Sequence, residues 1–89
     1  MKAVITVLGK DTVGILAKVS AACADEGVNI IEVTQSVMQD LFAMIMLADI
    51  KNCKVPLDEL TQKLEKVGDE MGMKVHVMHE DIFNSMHKI

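Results

Sequence analysis

The sequence predicts an α+β domain in which strands and helices follow one another as βαββαβ, with a short amphipathic segment appended. Three observations predict it. Two segments carry apolar residues at helical spacing, four carry β-branched or alternating apolar residues, and short polar or glycine-containing stretches separate them. A chain of 89 residues has the length of one domain.

The elements follow in order. Residues 2–8, KAVITVL, are β-branched and apolar, are bounded by Gly9, and read as a buried strand. Ile15, Leu16, Val19, Ala22 and Cys23 then form an apolar stripe on a helix running from about Val13 to Glu26. Asp11 or Thr12 supplies its N-cap and Gly27 ends it. Residues 28–38 alternate, with Ile31, Val33 and Val37 on one side and Glu32, Thr34 and Ser36 on the other. The two-residue turn Gln39-Asp40 joins this strand to residues 41–50 in an antiparallel hairpin. After Pro56, the residues Leu57, Leu60, Leu64, Val67 and Met71 keep a 3-4-3-4 spacing, the clearest helical signal in the chain. Asp58 and Glu59 suit the first turn of that helix, Gly68 inside it costs about 1 kcal/mol against alanine, and Gly72 closes it. In residues 73–79, Val75 and Val77 take one face of a fourth strand, and Lys74, His76 and Met78 the other. Four antiparallel strands with both helices on one face make a ferredoxin-like sandwich over residues 1–79. Residues 80–89 form a tail helix bearing Ile82, Phe83, Met86 and Ile89.

The third strand is apolar on both sides, whereas helices cover only one face of the sheet. Leu41, Ala43, Ile45 and Leu47 are assigned to the covered face. Phe42, Met44, Met46 and Ile50 are assigned to the open one, near Met78. An apolar patch of this kind marks an interface. The expectation is that it buries Ile82, Phe83 and Met86 of the tail, within one chain or across a homo-oligomer, dimer or tetramer.

Composition excludes several classes. The formal charge is −4, and every one of the nine basic residues is lysine. Without arginine, and with two Phe as the whole aromatic content, the chain lacks the groups that fork onto phosphates and stack on bases, so nucleic acid is not an expected partner. No run approaches the ~20 apolar residues of a membrane span. The N-terminal apolar run meets Lys10-Asp11 rather than a signal-cleavage site. Cys23 and Cys53 are read as two reduced thiols, and the protein as cytoplasmic. His76, His79, Glu80, Asp81 and His87 gather near the C-terminus, but positions 76 and 79 point to opposite faces of a strand, so no metal or other cofactor is expected. No nucleophile has a base beside it, and the paired carboxylates lie on solvated faces, so no enzyme activity is expected.

One stretch remains, VLGKDTVGIL (residues 7–16). A strand ends, polar residues follow, and Gly14 stands at the start of a helix. Free amides of Gly14, Ile15 and Leu16 could hold a carboxylate while Asp11 meets an ammonium, with Asn29 as a further polar group. Equally, Asp11 could simply cap the helix and Gly14 allow tight packing. Local chemistry leaves both readings open.

Across GKDTVGILAKVSAACADEGVNI, residues 9–30, the chain resembles ACT domains, in which a G-x-D-x-x-G-[IL] loop and helix lead to G-V-N-I at the second strand. Its length and tail are similar to those of small stand-alone ACT proteins of bacteria and archaea, and to the halves of two-ACT glycine-cleavage regulators. The resemblance implies a non-catalytic homo-oligomeric module that binds an amino acid between subunits and signals to a partner protein. By position it implies that Asp11, Gly14, Ile15 and Asn29 touch the ligand, with Thr12, Val13 and Ile30 beside them. Thr12-Val13 stands where many members of that family carry Arg-Pro. The alternative is a ligand-free interaction module acting through a methionine-rich sheet face.

Overall fold

A computed structural model of the chain describes residues 1–10 and 14–86, with Met86 described by its backbone. The elements are β1 (Lys2–Lys10), α1 (Ile15–Asp25), β2 (Asn29–Met38), β3 (Leu41–Asp49), α2 (Leu57–Glu70), β4 (Lys74–His79) and α3 (Glu80–Met86). All pairings are antiparallel, in the order β2-β3-β1-β4, so β2 and β4 are the edges. This is the ferredoxin-like sandwich that the periodicities predict. β1 runs two residues further than expected, through Gly9 and Lys10, because both keep their pairing with Phe42 and Leu41.

The core forms between the sheet and the two long helices. Ala3, Ile5 and Val7 of β1 and Val75 of β4 meet Ile15, Val19, Ala22 and Cys23 of α1 and Leu60 and Leu64 of α2. The helical 3-4 spacing in α2 thus places Leu57, Leu60, Leu64 and Val67 toward one cluster.

The face assignment of β3 is reversed. Met44 and Met46 are 0% exposed and belong to the core, and Phe42 and Ile50 pack with it. Leu41 and Ile45 lie on the open side, 40% and 45% exposed. The reason is register. Met46 pairs with Ile5 of β1 and Val33 of β2, and Phe42 pairs with Val37, so residues of even number in β3 share the face of the core strand positions. The hairpin itself carries this signal: a two-residue turn at Gln39-Asp40 sets Val37 opposite Phe42, and Val37 lies on the apolar side of β2. The methionine-rich open face therefore does not exist in this fold. The open face carries Leu8, Leu41, Ala43, Ile45 and Leu47 instead.

The tail helix α3 packs on β1 and β4 of its own chain. Val4 lies on the face away from α1 and α2, paired with Leu47 and Met78, yet is only 4% exposed, because α3 covers that end of the sheet. Met78 and Phe83 are half-buried, and Ile82 is exposed. The side chain of Met86 and residues 87–89, including His87 and Ile89, lie outside the described residues.

Candidate functional site

The loop between β1 and α1 is built around a helix start. The N-cap is Gly14, not Asp11 or Thr12, with φ 91° in the left-handed region that side chains disfavour. Among the described residues a Cβ on Gly14 would meet nothing within 4 Å, and it is the backbone conformation that favours glycine here. The first helical bond runs from the Lys18 N–H to the Gly14 carbonyl at 3.0 Å. The amides of Ile15, Leu16 and Ala17 therefore have no acceptor within the helix, and Gly14 has no side chain to cap them. These amides, at the positive end of the helix dipole, can donate to an anionic group.

Of the residues expected here, Asp11, Thr12 and Val13 lie outside the described residues. Ile15 buries its side chain in the core, leaving only its backbone N–H for a ligand. Asn29 is exposed, but it stands at the other end of the sheet. It pairs with Asp49, which pairs with Lys2, whereas the loop leaves β1 at Lys10, level with Leu41 and Met38. At ~3.3 Å per residue that separates Asn29 from its own loop by roughly 25 Å. Ile30 is half-buried against the core. One chain therefore does not bring Asn29 to its own helix start.

The strand that begins at Asn29 is an open edge. β2 has ten residues, nearly all exposed, with Val33 and Val37 projecting on the helix side beyond the helices' cover. The alternation over residues 28–38 predicts one buried side, yet both sides of β2 are largely exposed. Strand order, rather than composition, places β2 at the edge.

Elsewhere the chemistry is sparse. Among the described residues no three His, Cys, Asp or Glu side chains gather as metal ligands. His76 lies on the open face opposite Thr6. His79 accepts the Asp81 N–H at Nδ1, 3.1 Å away. A cavity of about 190 Å³ lies at the far end of the molecule from Gly14, lined by Met1, Ile50, Cys53, Val55, Leu57 and Leu60. No helix among the described residues is long and apolar enough to cross a membrane.

Together these elements define a small α+β module, a four-stranded antiparallel sheet with its two long helices on one face. The family model for the ACT domain matches residues 2–78. A UPF0237 protein of Methanocaldococcus jannaschii is 48% identical over 88 residues, covering 99% of this chain and 98% of its own. An ACT domain protein from Streptococcus pneumoniae has the same fold at TM-score 0.82 and 34% identity, over 98% of both chains. The regulatory subunit of aspartate kinase from Thermus thermophilus aligns at TM-score 0.64 and 28% identity, covering 85% of this chain and 49% of that one. The chain belongs to the ACT domain family.

Proposed function

We propose that this protein is a non-catalytic regulatory module that binds a small ligand, an amino acid, between two copies of itself and passes that state to a partner protein. The observation that carries the reading is the start of α1 at Gly14, where the first amides have no acceptor within the helix and the N-cap residue offers no side chain to cap them. They suit a carboxylate. Asn29 enters the reading through a second copy. If two β2 edges pair antiparallel, the Asn29 end of one lies beside the Met38 end of the other, which is the end where Gly14 stands. Val33 and Val37 are then covered, and the long edge loses its unpaired backbone groups. The similarity to an aspartate kinase regulatory subunit supports a regulatory role.

The test is a thermal-shift screen against the twenty amino acids. A stabilising hit is expected, rising with concentration and reduced in Asn29→Ala. Sedimentation then reports whether the same amino acid favours the dimer. No shift at millimolar concentrations overturns the ligand reading. It would favour a ligand-free interaction module, for which the exposed Leu8, Leu41 and Ile45 supply a surface in place of the methionines.

A further inference from the structure

We propose that Cys23 and Cys53 form a redox-active dithiol, a site that takes small-molecule disulfides as its substrate and closes an internal disulfide as it reduces them. The two residues are thirty positions apart, on α1 and in the loop between β3 and α2, yet the fold brings the segments that carry them to one corner. Cys23 belongs to the core cluster and Cys53 packs against it. Both are free thiols.

The loop bearing Cys53 is fastened to the end of α1. The Lys54 N–H donates to the Glu26 carbonyl at 2.8 Å, and the Cys53 N–H to that of Ile50 at 3.1 Å. The carbonyl oxygen of Asn52 comes so near Gly27 that a Cβ there would lie 2.7 Å from it. Lys63 of α2 reaches the same corner, its Nζ 3.8 Å from Glu26 Oε2. The proximity of the thiols is also felt electrostatically. Burial pushes the Cys23 thiol up to about 11, the neighbouring Cys53 adds to the rise, and the Lys63 ammonium opposes it.

These surroundings assign the two roles. Cys23 is fully buried and holds its proton, so it is shielded from external reagents. Cys53 is half-buried and lines the cavity of about 190 Å³, which leaves room for an incoming group. The Cys53 thiolate attacks a disulfide RSSR, forming a protein–SR mixed disulfide and releasing RS⁻. Cys53 is then uncharged, so its repulsion of a Cys23 thiolate vanishes while the Lys63 attraction remains. Cys23 gives its proton to a thiolate or water and attacks Cys53 Sγ, expelling the second RS⁻. The protein loses two electrons and two protons, and RSSR becomes two RSH.

The experiment exposes the folded protein to excess glutathione disulfide in mildly alkaline buffer, followed by acid quenching, intact-mass measurement and non-reduced peptide mapping. Both thiols should disappear together, with a mass two hydrogens lower and one peptide pair joining Cys23 to Cys53. Cys23→Ser should instead accumulate glutathione on Cys53, and Cys53→Ser should leave Cys23 unreacted while the fold persists by circular dichroism. Wild-type protein that shows no reaction, keeps a stable glutathione adduct on Cys53, or forms only chain-to-chain disulfides overturns the proposal. Because Cys53→Ser alters a half-buried loop position, it serves as the control even if Cys23→Ser does not fold.

Discussion

Gly68 of α2 and Val75 of β4 approach so closely that a Cβ on Gly68 would lie 2.5 Å from Val75 Cγ2 and 2.9 Å from the Met73 carbonyl oxygen. The Met73 N–H also donates to the Gly68 carbonyl at 2.8 Å, so the chain turns back onto its own helix at this point. Glycine here is a packing requirement, and the helix tolerates its poor propensity because the sheet lies against it.

Gly68→Ala should therefore destabilise the protein, although alanine is the better helix former by about 1 kcal/mol. Overpacking costs typically 1–3 kcal/mol, and with a backbone carbonyl in the way the upper end applies, which leaves a net loss of up to about 2 kcal/mol. Urea unfolding should show a lower midpoint at an unchanged slope. An equal or higher midpoint would mean that α2 can move off β4 freely.

Neighbouring positions in β3 should behave in opposite ways. Met46 is fully buried and Ile45 is 45% exposed. Met46→Ala should cost about 2–5 kcal/mol through the cavity it leaves, and Ile45→Ala under about 1 kcal/mol. Chemical denaturation of the two variants side by side checks the face assignment, and the reverse ranking would refute it.

The hairpin turn holds a residue in an unfavourable conformation. Gln39 has φ 56°, among the described residues the only non-glycine at positive φ. Left-handed backbone costs an ordinary residue about 1–2 kcal/mol, part of which glycine returns to its more flexible unfolded chain. Gln39→Gly should raise stability by about 0.5–1 kcal/mol, visible as a melting temperature several degrees higher. A fall would show that the glutamine side chain contributes more than its strain costs.

Stability should fall in alkali through Cys23. Burial, with the nearby Cys53, raises its thiol from 9.0 to about 11 in the folded protein. Between these values the unfolded chain releases a proton that the folded one retains, so unfolding gains as pH rises. The contribution is fully present below pH 9 and is lost by about pH 11, roughly 3 kcal/mol in all. Urea midpoints measured across that range should drop more steeply for wild-type protein than for Cys23→Ala. Parallel curves would place the alkaline sensitivity elsewhere.

Much of the architecture is legible in the chain. Leu57, Leu60, Leu64 and Val67 announce α2 by spacing, and Val75 and Val77 announce the inner side of β4. Other features are not local. The run from Leu41 to Ile50 is apolar on both sides, so alternation alone does not say whether Met46 or Ile45 faces the helices. The cross-strand partners Ile5 and Val33 decide it. The glycine at 68 likewise reads as a defect until Val75 is set against it.

For the candidate site the division is sharper. The loop before Ile15 and its glycine stand out in the sequence, because a helix start needs only neighbouring residues to be recognised. Asn29 looks close to that loop in the chain, separated from Gly14 by a single helix, yet lies roughly 25 Å from it in the fold. A helix carries the chain from one end of the sheet to the other, so elements that follow each other begin at opposite ends. Local periodicity specifies which elements form, since each depends on residues a few positions apart. Which faces they bury, and whether Asn29 reaches a helix start through a second copy, depends on strand order and register, which exist only once distant segments pair.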